Sequence, residues 1–318
     1  MKFIDTFKED DNIVGHYLCK QKQSLKTQAG KTYYSLELQD KTSTITAKVW
    51  DLTKDIGSFD EKDMIKIDGM VLIYKGTPQL KITKIRKSRE GEYDPTDYIP
   101  STDKDIEQLY SDMLALIESI SVGYLKKLLQ NIFLHDKHVV AHIKTHSAAR
   151  NFHHGYLGGL IEHSVSVAQL CDFLAPRYKY VNRDLLITGA LIHDMGKLYE
   201  LSTFPDNEYT DEGELMGHIV IGIEMLTVKA SEIEGFPTEA LKMLKHLIIS
   251  HHGELEFGSP QKPKTIEAII LHSADKTDSA IKMYEEVIDK SLPHQGKGWS
   301  DFQNTVKLKV RKPVALDE

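Results

Sequence analysis

Seven side chains in the second half of this sequence are of types that hold metal ions: His163, His193, Asp194, His218, His251, His252 and Asp275. They fall in or at the ends of five apolar helical segments, so packed helices can aim these N and O donors at one interior point. The sharpest case is "ALIHDMGKLYEL", residues 190–201. Leu185, Leu186, Ile187, Ala190, Leu191, Ile192, Leu198 and Leu201 leave little polar circumference there, which reads as one mostly buried helix with His193 and Asp194 in its middle. Burying a carboxylate without a cation or a hydrogen-bond network costs on the order of several kcal/mol, so Asp194 requires a partner. Donors drawn only from His and Asp suit Mn, Fe, Zn, Co or Ni, and carboxylate sharing favours more than one ion. The two cysteines, Cys19 and Cys171, lie far apart without metal-type spacing, so neither a thiolate site nor a disulfide framework is indicated. Fourteen of the fifteen histidines lie between residues 135 and 294, and those standing alone on an apolar face, such as His246 and His272, read more simply as core residues.

These donors need helices to carry them. Residues 103–292 have the helical period in "DIEQLYSDMLALIESI", "VGYLKKLLQNIFL", "GGLIEHSVSVAQLCDFLA", "RDLLITGALIHDMGKLYEL", "GHIVIGIEMLTVKA", "TEALKMLKHLIISHH" and "TIEAIILHSADKTDSAIKMYEEVI", an all-α domain of about seven helices. Residues 12–90 alternate apolar and polar instead. "IVGHYLCKQKQ", "KTYYSLELQ", "STITAKVW", "MIKIDGMVLIY" and "PQLKITKIRK" give five strands, and "DLTKDIGSF" after the third reads as a short helix. That is the order of an OB-fold, a small barrel whose open face commonly takes oligonucleotides. The fold class is therefore multidomain: a small all-β OB-fold barrel followed by an all-α helical bundle. "GEYDPTDYIPST", residues 91–102, reads as the linker, and 293–318 as a tail whose "TVKLKVRKPV" forms a strand, a basic arm or a solvated end.

Charge divides the same way. The net charge is −7, yet residues 12–90 hold 15 Lys/Arg against nine Asp/Glu, a balance of +6 that leaves −13 on the remainder. A basic module for a polyanion beside an acidic one for cations fits that asymmetry. Tyr33, Tyr34, Trp50 and Tyr74 interleave with Lys31, Lys48, Lys84 and Arg86, as a groove that stacks bases and tracks phosphates requires. Each ring alone is more simply core filler, since half of every alternating strand faces inward. At 318 residues, 41% hydrophobic and 27% charged, the chain belongs to neither the disordered nor the membrane class. Its start, "MKFIDTFKEDDN", has no apolar run, so the cytoplasm is the expected location.

The order His163, His193–Asp194, Asp275, with "GGLIEHS" and "HDMGK" around it, resembles the H…HD…D pattern of HD-domain metal-dependent phosphohydrolases across residues 135–290, with the core motif at 163–279. His218 in "GHIVIG" and the pair His251–His252 resemble the extra ligands of dinuclear members. With the OB-like module in front, the whole chain resembles the YhaM family of bacterial 3′-5′ exoribonucleases. The resemblance implies a divalent cofactor of two ions per chain, manganese first with Co, Fe, Ni or Zn as alternatives. His163, His193, Asp194 and Asp275 would hold one ion, and Asp194 would bridge to a second held by His218 and His251. His252 is a third ligand there, a phosphate contact or a neighbour of His251. Two such ions, about 3.5–4 Å apart, can acidify a shared water and stabilise charge at phosphorus. Lys197, one turn past His193, could face a non-bridging phosphate oxygen. His153 and His154 could contact the phosphate or, in the case of His154, protonate the leaving 3′-oxygen, with a role in starting the next helix as the structural alternative.

The expected function is hydrolysis of single-stranded RNA from its 3′ end, with DNA as a second candidate substrate and nucleoside 5′-monophosphates as products. Two alternatives stand beside it: a phosphohydrolase of a free nucleotide or cyclic dinucleotide, and a non-catalytic nucleic-acid-binding protein with structural metals. A small substrate would not require the basic aromatic module, and a structural site needs neither an open coordination position nor Lys197. Oligomeric state stays open, although long apolar helices could support a homo-oligomer.

Overall fold

The computed structural model describes residues 2–52, 55–74, 76–89, 91–94, 97–150, 155–204, 206–291, 298–303 and 306–314, the side chains of Phe257, Lys290 and Ser291 aside. It forms two compact units, residues 1–101 and 102–318. The first holds strands β1 (Asn12–Lys26), β2 (Thr32–Gln39), β3 (Thr44–Val49), β4 (Met64–Tyr74) and β5 (Thr77–Lys87). They close into a barrel in the order β1-β2-β3-β5-β4, with β1 paired to both β2 and β4 and β3 parallel to β5. This is the OB-fold expected from the strand pattern. Alternation fills its interior: Leu36 and Leu38, Ile45, Ala47 and Val49, Ile65 and Ile67, and Leu80, Ile82 and Ile85 are all buried in one cluster. Gly69 stands at a bulge between β4 and β5, where a Cβ would lie 2.7 Å from the Lys81 carbonyl oxygen.

Two readings of this unit change. No helix forms among the described residues of 51–59. The ladder between β3 and β5 spans only Thr46–Lys48, so further along β5 Ile85, paired with Ile67 of β4, has no β3 partner on its other edge. The connection supplies one: Ile85 N–H donates to the Asp55 carbonyl at 3.1 Å and Gly57 N–H donates to the Ile85 carbonyl at 2.8 Å. Closing that gap satisfies backbone groups that a helix would have left open. The end of the expected linker also belongs to the barrel unit, because Tyr98 is buried and its carbonyl accepts from Gln39 Nε2.

The second unit contains α1 (Ile106–Glu118), α2 (Gly123–Gln130), α3 (Lys137–Ile143), α4 (Gly159–Leu174), α5 (Arg183–Ile192), α6 (Lys197–Glu200), α7 (Asp211–Ser231), α8 (Thr238–Ser250) and α9 (Ile266–Ser291). The count exceeds the expected seven for physical reasons. α3 is too short to show a period, and only its cap marks it: the Asp136 carboxylate accepts from the N–H groups of His138 and Val139. The expected single helix through residues 185–201 breaks after Ile192 into a turn at 193–196, and α6 follows. Every residue of α5 from Asp184 to Ile192 is buried, with α4 and α8 among its neighbours, and Asp184 itself is satisfied by the N–H groups of Ser121 and Val122. Near the C-terminus, isolated antiparallel bridges join Trp299 to Arg311 and Gln303 to Leu308.

Gly196 ends the turn at 193–196 because nothing larger fits: a Cβ there would overlap the His218 carbonyl of α7 and come within 2.8 Å of the Gly222 nitrogen. Gly196→Ala should therefore destabilise the helical unit by about 1–3 kcal/mol, the usual cost of overpacking. The same change at Gly123, which has nothing within 4 Å of its Cβ position, should leave thermal unfolding nearly unchanged. Equal melting temperatures for the two variants would contradict the close approach of the turn to α7.

Candidate metal centre

The five helices that carry the donors deliver them through their ends and breaks as much as through their faces. His163 projects from the first turns of α4, and Asp275 from α9. His193 caps the C-terminus of α5 and Asp194 follows in the turn, so the HD pair sits at a helix end, not mid-helix as the period suggested. His251 caps α8 in the same way, with His252 next to it. His218 follows Gly217, whose φ of +70° and ψ of 159° interrupt α7. That conformation is one glycine adopts without strain. It frees the His218 N–H, which donates to Glu200 Oε1 at 2.9 Å.

Two clusters meet at Asp194. On one side, His163 Nε2 lies 3.3 Å from His193 Nε2, 3.2 Å from Asp275 Oδ1 and 3.5 Å from Asp194 Oδ2. On the other, Asp194 Oδ1 lies 3.6 Å from both His218 Nε2 and His251 Nε2. Ligand atoms of His218, His251 and His252 all fall within 4.8 Å of one another, as do those of His163, His193 and Asp194. The tautomers follow from the outer partners. His193 Nδ1 faces the Ala190 carbonyl at 2.7 Å and His251 Nδ1 the Ile248 carbonyl at 2.6 Å, and a carbonyl only accepts. His163 Nδ1 meets Asp278 Oδ2 at 2.8 Å and His218 Nδ1 meets Glu200 Oε1 at 3.0 Å. The outer nitrogen of all four rings thus carries hydrogen and the inner Nε2 is turned toward the centre, the usual arrangement behind metal-ligating histidine.

These residues fit divalent ions. Asp194 Oδ1, His218 Nε2 and His251 Nε2 are buried without a hydrogen-bond partner among the described residues, at a cost of about 1–3 kcal/mol per orphaned group. A cation between them would answer all three. Burial alone would raise the Asp194 carboxyl, but the Lys197 ammonium at 2.7 Å and the surrounding imidazoles hold it well below the usual carboxylate range. Burial and the neighbouring His252 push His251 well below the usual imidazole value, which keeps it a neutral donor.

Two further carboxylates, not among the candidate donors, orient their rings. Asp278, which also accepts from Ser166 Oγ, and Glu200 each fix one ring. Spacing carried a signal for both, since Asp278 lies one turn past Asp275 and Glu200 one turn past Lys197. His272 holds the His251 carbonyl through Nδ1 at 2.8 Å, and His246 Nε2 accepts from the Lys264 N–H, so both serve the framework. His153 and His154 lie outside the described residues.

On the barrel, the expected nucleic-acid contacts divide. Tyr33 and Trp50 stack at 4.5 Å with 25° between planes, Lys48 Nζ lies 5.8 Å from the Tyr33 ring, and Lys81 neighbours Lys48 across the parallel ladder. Lys31 pairs with Asp51 beside them. Tyr34 points the other way, packing on the barrel core edge-on to Phe59 with Lys22 above both rings. Lys84 and Arg86 belong to the β4–β5 surface, where Asp68 and the bidentate Glu92 carboxylate already engage them. Tyr74 stands 58% exposed at the end of β4.

A family model for the HD domain matches residues 160–280. The chain is 35% identical over 274 residues to the 3′-5′ exoribonuclease YhaM of Geobacillus sp. (strain WCH70), covering 83% of this chain and 81% of that one. It is 34% identical over 288 residues to the 3′-5′ exoribonuclease YhaM of Bacillus velezensis, covering 89% and 90%. Among solved structures, the second OB-fold domain of replication protein A from Methanococcus maripaludis aligns with 28% of this chain and 96% of its own, at 16% identity and a TM-score of 0.23.

The centre's charge makes ion binding pH-dependent. Burial alone would lower the His163 imidazole, but its hydrogen bonds to Asp275 and Asp278 and their charges lift it from 6.5 to about 9. In the metal-free chain the imidazolium should contribute stability below pH 6.5 and lose that contribution as pH rises through about 9. An ion must displace the same proton. Apparent Mn(II) affinity should therefore rise by about tenfold per pH unit across that window, with proton release on binding. Calorimetric titration checks this, and an affinity flat from pH 6.5 to 9 would remove His163 from the ligand set.

Proposed function

This chain belongs to the YhaM family of 3′-5′ exoribonucleases, and from that premise we propose that its helical unit cuts single-stranded RNA from the 3′ end at a two-ion centre while its barrel holds the strand. It is a metal-dependent hydrolase. The observation that carries the two-ion reading is the division of Asp194, with one carboxylate oxygen toward His163 and His193 and the other toward His218 and His251. His163, His193, Asp194 and Asp275 would hold the first ion, and His218, His251 and His252, with Asp194 shared, the second. When bound, the ions supply Lewis-acid charge and a more acidic water for attack at phosphorus.

The chain's own groups do the rest. Glu200 and Asp278 keep the imidazoles aimed, so little reorganisation is needed when substrate arrives. Lys197, its side chain 13% exposed, can turn its ammonium to a non-bridging phosphate oxygen while remaining the counter-charge of Asp194. His154 is proposed to protonate the leaving 3′-oxygen, on sequence grounds, which would release a nucleoside 5′-monophosphate. On the barrel, Trp50 is 42% exposed and backed by Tyr33, so its outer face suits a base, with Lys31, Lys48 and Lys81 beside it for phosphates. DNA would meet the same rings and ammonium groups, none of which requires a 2′-hydroxyl. Among the described residues no helix is long and apolar enough to cross a membrane, and a cytoplasmic site of action suits an RNA substrate.

Manganese-loaded protein given 5′-labelled single-stranded RNA should produce a ladder shortening from the 3′ end, and 3′-labelled RNA should release labelled mononucleotide at once. Asp194→Ala should abolish both. Lys197→Ala should keep its ions and lose about 10²-fold in rate. Internal cleavage, or wild-type turnover by Asp194→Ala, would refute the proposal.

Trp50→Ala should weaken RNA binding by about 1–3 kcal/mol, the value of one stacked base, with little change in melting temperature. Tyr34→Ala should instead lower the melting temperature of the barrel, because that ring packs on its core. The reverse pattern would place the strand on the Tyr34 side.

A further inference from the structure

The two ion positions are matched in their outer support. Each has one imidazole backed by a carboxylate, His163 by Asp278 and His218 by Glu200. Each has a second imidazole backed by a carbonyl three residues earlier, His193 by Ala190 and His251 by Ile248. Each receives one oxygen of Asp194. What differs is the fourth donor. At the first position it is the carboxylate of Asp275, 3.2 Å from His163 Nε2 and not paired with any ammonium among the described residues. At the second it is the imidazole of His252, whose ring centre lies 4.1 Å from that of His251 and 5.2 Å from that of His218.

That exchange of one oxygen for one nitrogen changes the chemistry of the pair. Two imidazoles with two carboxylates suit a hard ion such as Mn(II), whereas three imidazoles with a shared carboxylate favour Zn(II), Co(II) or Ni(II). We propose that the two positions discriminate between metals, the Asp275 position retaining Mn(II) while the His252 position selects Zn(II) or a similar nitrogen-preferring ion, so that the centre is a mixed one when both are present. This rests on the two-ion reading above and adds to it an identity for each position. His252 thereby becomes the residue that sets metal preference at the second position.

The full-length chain, freed of metal and given excess Mn(II) with a single equivalent of Zn(II), provides the test. Elemental analysis should find one manganese and one zinc per chain. Electron paramagnetic resonance should show an isolated Mn(II) signal in place of the exchange-coupled pair formed with Mn(II) alone. His252→Asp, which makes the second position resemble the first, should reduce the zinc preference at least tenfold and restore the coupled signal. Asp275→His, the converse change, should draw a second zinc and serves if the first variant fails to fold. Zinc distributed statistically between positions, or a preference unchanged in both variants, would overturn the inference while leaving the two-ion centre standing. A wild-type chain that binds only one ion in excess Mn(II) would overturn the two-ion reading and this inference together.

Discussion

Asp194 is 2% exposed and carries a charge, and the geometry around it offsets the cost of taking that charge out of water. Four imidazoles and one ammonium point at its two oxygens. Bringing five groups from α4, α5, α6, α7 and α8 to one carboxylate limits how those helices may end. α5 must stop at His193, because another helical turn would carry Asp194 around the axis and away from the clusters. The turn that follows packs so closely on the backbone of α7 that only glycine fits at 196. α7 must in turn break at Gly217, since a continuous helix would commit the His218 N–H to its own ladder and deny it to Glu200.

The four residues of α6 join the two clusters to the Lys197 ammonium. Lys197 opens the helix and bonds Asp194 Oδ2, while Glu200 closes it and holds His218 by both its ring and its backbone. Any shift of this turn moves the ammonium and the His218 ring together. Its anchoring is correspondingly tight: the Glu200 carbonyl accepts from the Thr210 N–H at 3.0 Å, and a Cβ at Gly213 would overlap that carbonyl. Small residues at 196, 213 and 217 are therefore part of the centre although none offers it a donor.

How much of this the sequence disclosed depended on how local the determinant was. The candidate donors were legible because polar atoms in apolar helices have few other uses, and the strands because their period is two. The breaks were not, because hydrophobic period continues across residues 190–201 while the backbone turns at 193–196. Tyr33 and Tyr34 show the same limit on the barrel. Adjacent in sequence, they face opposite sides of β2, so only one of them can stack on Trp50, and register decides which. Glu200 and Asp278 were overlooked for a third reason: acidic residues on helices are ordinarily solvated, and their one-turn spacing from Lys197 and Asp275 gains meaning only once a histidine ring is placed beside each.

The same separation of near and far determinants bears on the basic charge of the barrel. A surplus of lysine and arginine in the sequence counts every cation alike, but Lys84, Lys87 and Arg86 are answered by Asp68, Asp63 and Glu92 at 3.5, 2.6 and 2.8 Å. Exposed pairs of this kind contribute little to stability, about 0–1 kcal/mol, but they do cancel local potential. Around Trp50 the balance is different, with Lys48 bonded to the uncharged Ser35 hydroxyl and Lys81 adjacent to it, and Asp51 answering Lys31 alone. Positive potential and the exposed ring therefore coincide on the β2–β3 side. A strand held there would owe its affinity to a few local cations, not to the module's net charge.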